Sequence, residues 1–500
     1  MNLNTTNDGL ELLTPAQMYA ADAAAISSGT PGIDLMENAG YAVFRQIVMR
    51  WSKRPVTVLC GPGNNGGDGF VVARLLLEDG WPVTLAVIGD VARLKGDAAL
   101  AANRWTGPTE PVTPAAIDGA RLIVDALFGA GLARDIEPPL SDVFCLVARS
   151  GMPVVAIDIP SGIDGETGQA RGTAIRADLT VTFFRRKPGH LLLPGRSHCG
   201  ETICEDIGIA RSALPADEQY IYANDPVLWR RHFQPPAAEA HKYDHGHAVV
   251  VSGGAYTSGA ARLAAQAALR AGAGLVTVAS PRQAMPVNAA QLNAVMLSEA
   301  DDAPALSRLL SDHRKTAACI GPGCSVSGQT RAKVRAVLGS GTAAVLDADA
   351  LSSFAPDPDA LFTAIADAPN RPVVLTPHEG EFARLFKGLD LPTDSKCERA
   401  LAAARISGAV VVLKGADTVI AEPGGRIIIN ENAPARLATA GAGDVLSGIV
   451  LANLARHIPA FEAAAAAVWL HGAAAAAGAD GLTADDLPDL LAAAMASLYK

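Results

Sequence analysis

The chain has 500 residues, 51 of them acidic and 41 basic, for a net charge of −10. Apolar residues make up 49%, aromatic residues 5% and charged residues 18%, which excludes a disordered chain and implies cores filled mainly by Ala, Val, Leu and Ile. No basic run stands out, so a nucleic-acid-binding surface is excluded, and the length predicts more than one domain of about 150 residues each.

Met1 to Leu13 lack the basic flank and apolar stretch of a signal peptide, so no secretory signal is expected. Thr14-Pro15 predicts a helix start, an N-cap followed by a proline at the first helical position, and Gly29 closes that helix. A second helix is predicted over residues 34–51. Strand-like runs at 56–60, 83–88, 122–127 and 154–159 then alternate with helical stretches such as 70–79. Short β-branched runs alternating with helices predict a parallel sheet covered on both faces, a Rossmann-like doubly wound α/β domain.

The rhythm weakens after Cys204. Residues 211–241 carry Pro215, Pro226, Pro235 and Pro236 without a clear period, and they are the predicted linker. Alternation resumes with strand-like runs at 247–252, 275–279, 317–320, 343–346, 372–375 and 410–413. A hairpin follows, 418–421 with 426–429, turned at Pro423-Gly424-Gly425, and the chain is helical from Gly443 onward. This places one α/β domain at residues 11–215 and a second at 224–500. The apolar segment 460–478 is interrupted by Glu462, His471 and Gly472, and it predicts a buried core helix rather than a membrane span. Seven cysteines without a CxxC pair predict a reduced, cytoplasmic protein. His198 with Cys199 and Cys204 looks like a metal set but lacks a fourth ligand and tight spacing, and His241 with His245 and His247 resembles a metal cluster but lies at the domain entry before a strand.

The run ending at Cys60 leads into Gly61-Pro62-Gly63-Asn64-Asn65-Gly66-Gly67-Asp68-Gly69. Gly61, Gly63 and Gly66 satisfy GxGxxG, yet Asp68 would repel a pyrophosphate, and no Lys-Ser/Thr follows as in a P-loop. The alternative is a tight strand-to-helix turn with an aspartate cap. Two more strand tips carry an aspartate and glycines: Asp125-Ala126-Leu127-Phe128-Gly129-Ala130-Gly131, and Asp158-Ile159-Pro160-Ser161-Gly162-Ile163-Asp164-Gly165. Ligands of open parallel sheets bind at such carboxyl ends.

NNGGDG, VDALFGAGL and DIPSGIDG, with Asp34-Leu35-Met36-Glu37-Asn38-Ala39-Gly40 upstream, resemble the epimerase domain of NAD(P)H-hydrate repair proteins, the YjeF N-terminal family, over roughly residues 11–215. The resemblance implies substrate contacts at Asn64, Asn65, Gly66, Gly67 and Asp68. It implies further contacts at Gly129, Ala130, Gly131, Leu132, Ala133, Arg134 and Asp135, and at Asp158. It also implies a potassium ion held by Asn65, Asp125 and Ser161, all oxygen donors as a hard cation requires. Asp158, a carboxylate at a dry strand tip, is the expected general acid or base. A role limited to a ribose hydrogen bond or a turn cap stays open.

In the second half, Thr439-Ala440-Gly441-Ala442-Gly443-Asp444 stands directly before an apolar helix. Glycines there free backbone amides for phosphate oxygens, and an aspartate at that point can deprotonate a hydroxyl beside a transferring phosphoryl group. An ordinary Gly-Asp helix start is the alternative. GAGD ahead of a helix resembles the anion hole of ribokinase-like kinases. Together with Gly253-Gly254, Ser258-Gly259-Ala260, Gly321-Pro322-Gly323, Leu375-Thr376-Pro377-His378-Glu379-Gly380-Glu381-Phe382 and Leu413-Lys414-Gly415-Ala416-Asp417-Thr418, it resembles the ADP-dependent NAD(P)H-hydrate dehydratase family over residues 224–500. The resemblance implies a ribokinase-like α/β fold, hydrate contacts at Ala260, Gly323, His378 and Asp444, and Asp444 as catalytic base. The adenine nucleotide would be held by Lys414, Gly415, Ala416, Asp417, Thr418 and Gly443.

Together the two resemblances imply a bifunctional enzyme. It would epimerise the hydrates NADHX and NADPHX and dehydrate the S form with ADP and magnesium, giving AMP and phosphate, without a nucleic-acid or membrane partner. Ala-rich helices on parallel sheets suggest a symmetric homo-oligomer. Two rivals are a ribokinase-type vitamin or sugar kinase with an accessory Rossmann-like domain, and a non-catalytic binding module as the first domain. The intact set of polar strand tips argues against the second.

Overall fold

A computed structural model describes residues 9–214, 220–234, 239, 241–392 and 394–498. Residues 1–8 of the N-terminal segment and parts of the predicted linker, 215–219, 235–238 and 240, lie outside them. Packing divides the chain at Ile221 and Tyr222 into two compact units.

In the N-terminal unit, the helix Pro15–Ser27 (α1) starts as expected, with a Thr14 capping box and Pro15 at its first turn. The helix Gly32–Arg50 (α2) follows. The sheet comprises β1 (Val56–Cys60), β2 (Val83–Val87), β3 (Glu110–Pro111), β4 (Leu122–Ala126), β5 (Val154–Ile157), β6 (Leu179–Phe183) and β7 (Glu201–Glu205). Its order is β3-β2-β1-β4-β5-β6-β7, parallel throughout. The order reverses between β1 and β4, the switch point at which doubly wound sheets open a crevice for ligands.

A helix start departs from the sequence reading. The helix α3 spans Asn64–Glu78, so Asn64 to Gly69 form its first turns rather than a loop before it. Tight packing explains why glycines sit in a helix despite their low propensity. A Cβ on Gly61 would lie 1.7 Å from the Leu127 carbonyl oxygen, and one on Gly66 would lie 1.9 Å from the Gly61 carbonyl oxygen. These glycines bring β1, α3 and the loop after β4 into contact at the mouth of the crevice.

The C-terminal unit holds β8 (His247–Val251), β9 (Leu275–Ser280), β10 (Met296–Glu299), β11 (Ala317–Ile320), β12 (Ala343–Leu346), β13 (Val373–Leu375), β14 (Val410–Leu413), β15 (Val419–Ala421) and β16 (Ile427–Ile429). They are ordered β16-β15-β14-β13-β12-β11-β8-β9-β10. Strands β8 to β14 pair in parallel, and the β15–β16 hairpin continues the sheet with antiparallel pairing, in accord with the expected ribokinase-like α/β class. Small residues let the helices Ser258–Arg270 and Ala442–Ala455 approach closely. A Cβ on Gly448 would stand 2.2 Å from the Ala264 carbonyl oxygen. The helix Ala460–Ala477 is long and apolar, and it is packed into this core.

The expected linker is shorter than the proline count suggests. Trp229 is 0% exposed, meets Phe233 and Trp469 edge-on, and donates from Nε1 to Asn224 Oδ1 at 3.0 Å. Residues from Tyr222 onward therefore belong to the second core. His247 is likewise a core residue, with Nε2 2.7 Å from Thr277 Oγ1. His198 Nδ1 meets the Ile175 carbonyl oxygen at 2.8 Å.

Candidate active sites

A cavity of about 580 Å³ opens at the switch point of the N-terminal sheet. The start of α3 supplies Asn64, Asn65 and Asp68, the loop after β4 supplies Gly129 to Arg134, and the tip of β5 supplies Asp158. Gly66 and Gly67 do not line it. They pack inward, and Asp135 faces a second cavity.

Asp158 is held in the left-handed region, φ 66°, an unusual backbone for a side-chain-bearing residue that marks a constrained site. Its Oδ1 accepts from Lys187 Nζ at 2.6 Å and from Thr182 Oγ1 at 3.0 Å, and Oδ2 accepts from the Ala130 N–H at 2.9 Å. Burial alone would raise its pKa. The Lys187 charge and hydrogen bond, with the Ala130 amide, pull it down to about 2. At neutral pH Asp158 is thus a persistent negative charge rather than a ready proton carrier. His190 Nδ1 accepts from the Lys187 backbone N–H at 2.9 Å, which assigns Nε2 as donor to the Asp158 carbonyl oxygen at 2.8 Å. Burial and the Lys187 charge hold His190 neutral, near 4.

The carboxyls suited to proton transfer are others on the same wall. Asp22, from α1, is raised to about 6 by burial, with Lys187 opposing. Asp68 is raised by burial and by its neighbours Asp158 and Asp22. Lys187 itself is 2% exposed. It escapes the sequence pattern because β6 escapes it; the apolar alternation Leu179 to Phe183 ahead of Arg185-Arg186-Lys187 is the signal that marks it.

Beside this cavity, Asp125 is 0% exposed and accepts from Ser161 Oγ at 2.6 Å and from the Ser161 N–H at 2.7 Å. Burial raises it to about 6 despite these bonds. The buried Asn65 amide has no hydrogen-bond partner at Oδ1 or Nδ2 among the described residues.

In the C-terminal unit, the predicted residues gather at the carboxyl ends of parallel strands. Gly323 follows β11 and accepts from Thr257 Oγ1 at 2.7 Å, which ties it to the start of the helix carrying Ala260. His378 caps the helix Glu379–Leu385, with Nδ1 accepting the Gly380 N–H at 2.9 Å, and its backbone bridges to Lys414. The helix Ala442–Ala455 begins earlier than expected, so Asp444 sits in its first turn behind Gly441, whose φ of 87° requires glycine. Lys414 Nζ lies 3.5 Å from where a Gly443 Cβ would stand.

The anionic partner of Lys414 is Asp347, a residue the sequence pattern did not mark. Lys414 Nζ donates to Asp347 Oδ1 at 2.8 Å, and Ser447 Oγ donates to Oδ2 at 2.7 Å. Burial would lower the Lys414 pKa, but Asp347 and Glu381 reverse that and raise it. Asp444 is raised to about 6 by burial and by Asp347, against Lys414. A base with that value ionises just below neutral pH, as general-base catalysis favours. Asp417 is engaged by Lys396 Nζ at 2.6 Å, and Thr418 Oγ1 donates to the Gly415 carbonyl at 2.7 Å. The 414–418 segment is therefore a tight turn between β14 and β15.

Comparison with known proteins follows the same division. Residues 32–189 match the family described as YjeF-related protein N-terminus, and residues 248–496 match the family described as NAD(P)H-hydrate dehydratase. The chain is similar to the bifunctional NAD(P)H-hydrate repair enzyme Nnr of Coxiella burnetii, 34% identical over 94% of this chain and 96% of that protein. It is also similar to the enzyme of the same name from Escherichia coli, 36% identical over 88% and 84%. Among solved structures it resembles the ADP/ATP-dependent NAD(P)H-hydrate dehydratase of Bacillus subtilis co-crystallised with ATP and Mg2+, at 30% identity and a TM-score of 0.47, covering 56% of this chain and 99% of that one. The chain belongs to the bifunctional NAD(P)H-hydrate repair enzyme family, with an epimerase-type half followed by a dehydratase-type half.

Proposed function

We propose that this chain repairs hydrated NADH and NADPH in two steps. The N-terminal domain interconverts the R and S hydrates, and the C-terminal domain dehydrates the S form with ADP, yielding AMP and phosphate. The observation that carries this reading is the pair of preorganised carboxylate centres in one chain, Asp158 with Lys187 and Asp444 with Lys414 and Asp347. A dehydratase that accepts one epimer needs an epimerase to supply it from the other.

Epimerisation requires the ring C–O bond to break and re-form on the other face. Protonation of the hydroxyl lets the ring nitrogen's lone pair expel water and leave an iminium; water then adds to the opposite face and gives up a proton. Asp22, near 6, is matched to donate and recover that proton. Asp158, ionised throughout, balances the iminium charge and orients the incoming water. The backbone at Gly129 to Arg134 and Asn64 walls the hydrate.

Asn65, Asp125 and Ser161 fit a potassium ion. They offer a buried carboxylate without a basic hydrogen-bond partner among the described residues, a hydroxyl, and an amide without partners. Bound there, the ion would neutralise Asp125 and fix the β4 and β5 tips.

In the second domain, Asp444 removes the proton from the S hydrate's hydroxyl as its oxygen attacks the terminal phosphoryl group of ADP. AMP departs, the ring nitrogen expels phosphate to leave an iminium, and loss of a proton from the adjacent ring carbon to solvent gives the dihydronicotinamide. Lys414 and the amides around Gly443 face the phosphates, Gly415 to Thr418 hold the nucleotide, and Ala260, Gly323 and His378 hold the hydrate. Magnesium carried in with the ADP would screen the phosphate charge; among the described residues no group of three or more carboxylates, histidines or cysteines could hold the ion by itself. All seven cysteines are free thiols, which suits a reducing cytoplasm. The test is product balance: the S hydrate with ADP should return one dihydronicotinamide per AMP, and phosphorylation of a vitamin-type alcohol with ATP, with hydrate untouched, would overturn the reading.

A further inference from the structure

Besides the cavity holding Asp158, the N-terminal unit has a second cavity of about 500 Å³. It lies over the carboxyl ends of β2 and β3, and the two cavities share a wall formed by Phe128 and Arg134. The first is lined by three perturbed carboxyls, Asp22, Asp68 and Asp158. The second has apolar walls, Ile88, Val112 and Leu140, and two carboxylates, Asp135 and Glu137. Arg134 stacks over Phe128 at 6.0 Å between them, and its guanidinium has no carboxylate partner among the described residues.

We infer that the second cavity is the subsite for the adenosine half of the dinucleotide hydrate, with Arg134 as the pyrophosphate clamp between the two cavities. This rests on the epimerase reading above. The reacting ring needs the acid–base groups and therefore occupies the first cavity. The remaining half of the substrate is a flat purine, a ribose with hydroxyls and a doubly charged bridge. Apolar walls with an aromatic edge suit the purine, the Glu137 carboxylate accepts from ribose hydroxyls, and a planar guanidinium at the shared wall matches a pyrophosphate. The placement follows the doubly wound rule, in which a dinucleotide spans the crevice across the switch point, its halves over different strand ends.

The test compares two substrates on the full-length protein without ADP: hydrated NADH, and hydrated reduced nicotinamide mononucleotide, which lacks the adenosine half. Epimerisation is followed for the wild type, Arg134→Ala and the cavity-filling variant Val112→Trp. In each variant kcat/KM for the dinucleotide relative to the mononucleotide should fall at least about tenfold, the loss expected for one charge-assisted contact or a blocked subsite. A ratio that stays at the wild-type value in both variants would overturn the subsite, while epimerisation itself persists. Wild-type protein that epimerises neither substrate would instead remove the epimerase reading, and this inference with it.

Discussion

Lys187→Met isolates the electrostatic core of the first site. Methionine keeps the unbranched volume of a side chain that is 2% exposed but removes its charge. In the native fold Lys187 and the Ala130 amide hold Asp158 near 2, against an ordinary value of 3.8, a gap worth roughly 2 kcal/mol. The sign follows from the lowered value: this stabilisation is full above the unfolded pKa near 4 and is lost as pH falls toward 2. Without Lys187, burial dominates and Asp158 titrates at a higher pH, with only Thr182 and Ala130 still bonded to it. The variant should therefore lose about 2–3 kcal/mol of N-terminal-domain stability at neutral pH, below the full cost of a broken buried pair because Asp158 is partly open to the cavity. Its epimerisation should gain an acid limb at higher pH than the wild type. Denaturant melts and pH–rate profiles, each run also on Asp158→Asn and the double variant, measure both effects. A coupling energy near zero, with an unmoved pH profile, would refute the pair as a working unit.

Asp444→Asn should lower ADP-dependent dehydration about 10²- to 10⁴-fold while epimerisation continues. In the wild type that reaction should fall away below about pH 6, where Asp444 takes up its proton; initial rates against pH decide it. Replacing potassium with a bulky organic cation should slow epimerisation and leave dehydration unaffected, since Asn65, Asp125 and Ser161 belong to the first site alone. Trp229→Ala should cost about 3–5 kcal/mol in the melt of the C-terminal unit, because that ring is wholly buried against Phe233 and Trp469; an unchanged melt would return residues 222–234 to the linker.

The strand runs and both aspartate-bearing tips were legible because short buried parallel strands read as unbroken apolar segments bounded by glycine. The boundary of α3 was not, since Asn64 to Gly69 have poor helix propensity and are helical through close packing, Gly66 against the Gly61 carbonyl, Gly67 against Met36 and Ala98, and Gly69 against Cys60 and Ala126. Asp158 and Asp444 stood out as carboxylates at element tips, yet their protonation is set by distant partners. Lys187 lies 29 residues from Asp158 in sequence, and Asp347 lies 67 from Lys414. Only the parallel crossovers bring those residues together. Trp229 illustrates the opposite error: proline-rich sequence without a period looks like linker, although a single large ring anchors it to the core.

The most direct measurement is the recovery of dihydronicotinamide absorbance from a mixture of R and S NADH hydrates. With ADP, the wild-type protein should return the whole mixture at a single fast rate; the Asp158→Asn variant should return the S fraction quickly and the R fraction only at the spontaneous rate of epimerisation. Without ADP neither should recover. Equal recovery by both proteins would contradict the role of Asp158, and no recovery by the wild type with ADP would contradict the account as a whole.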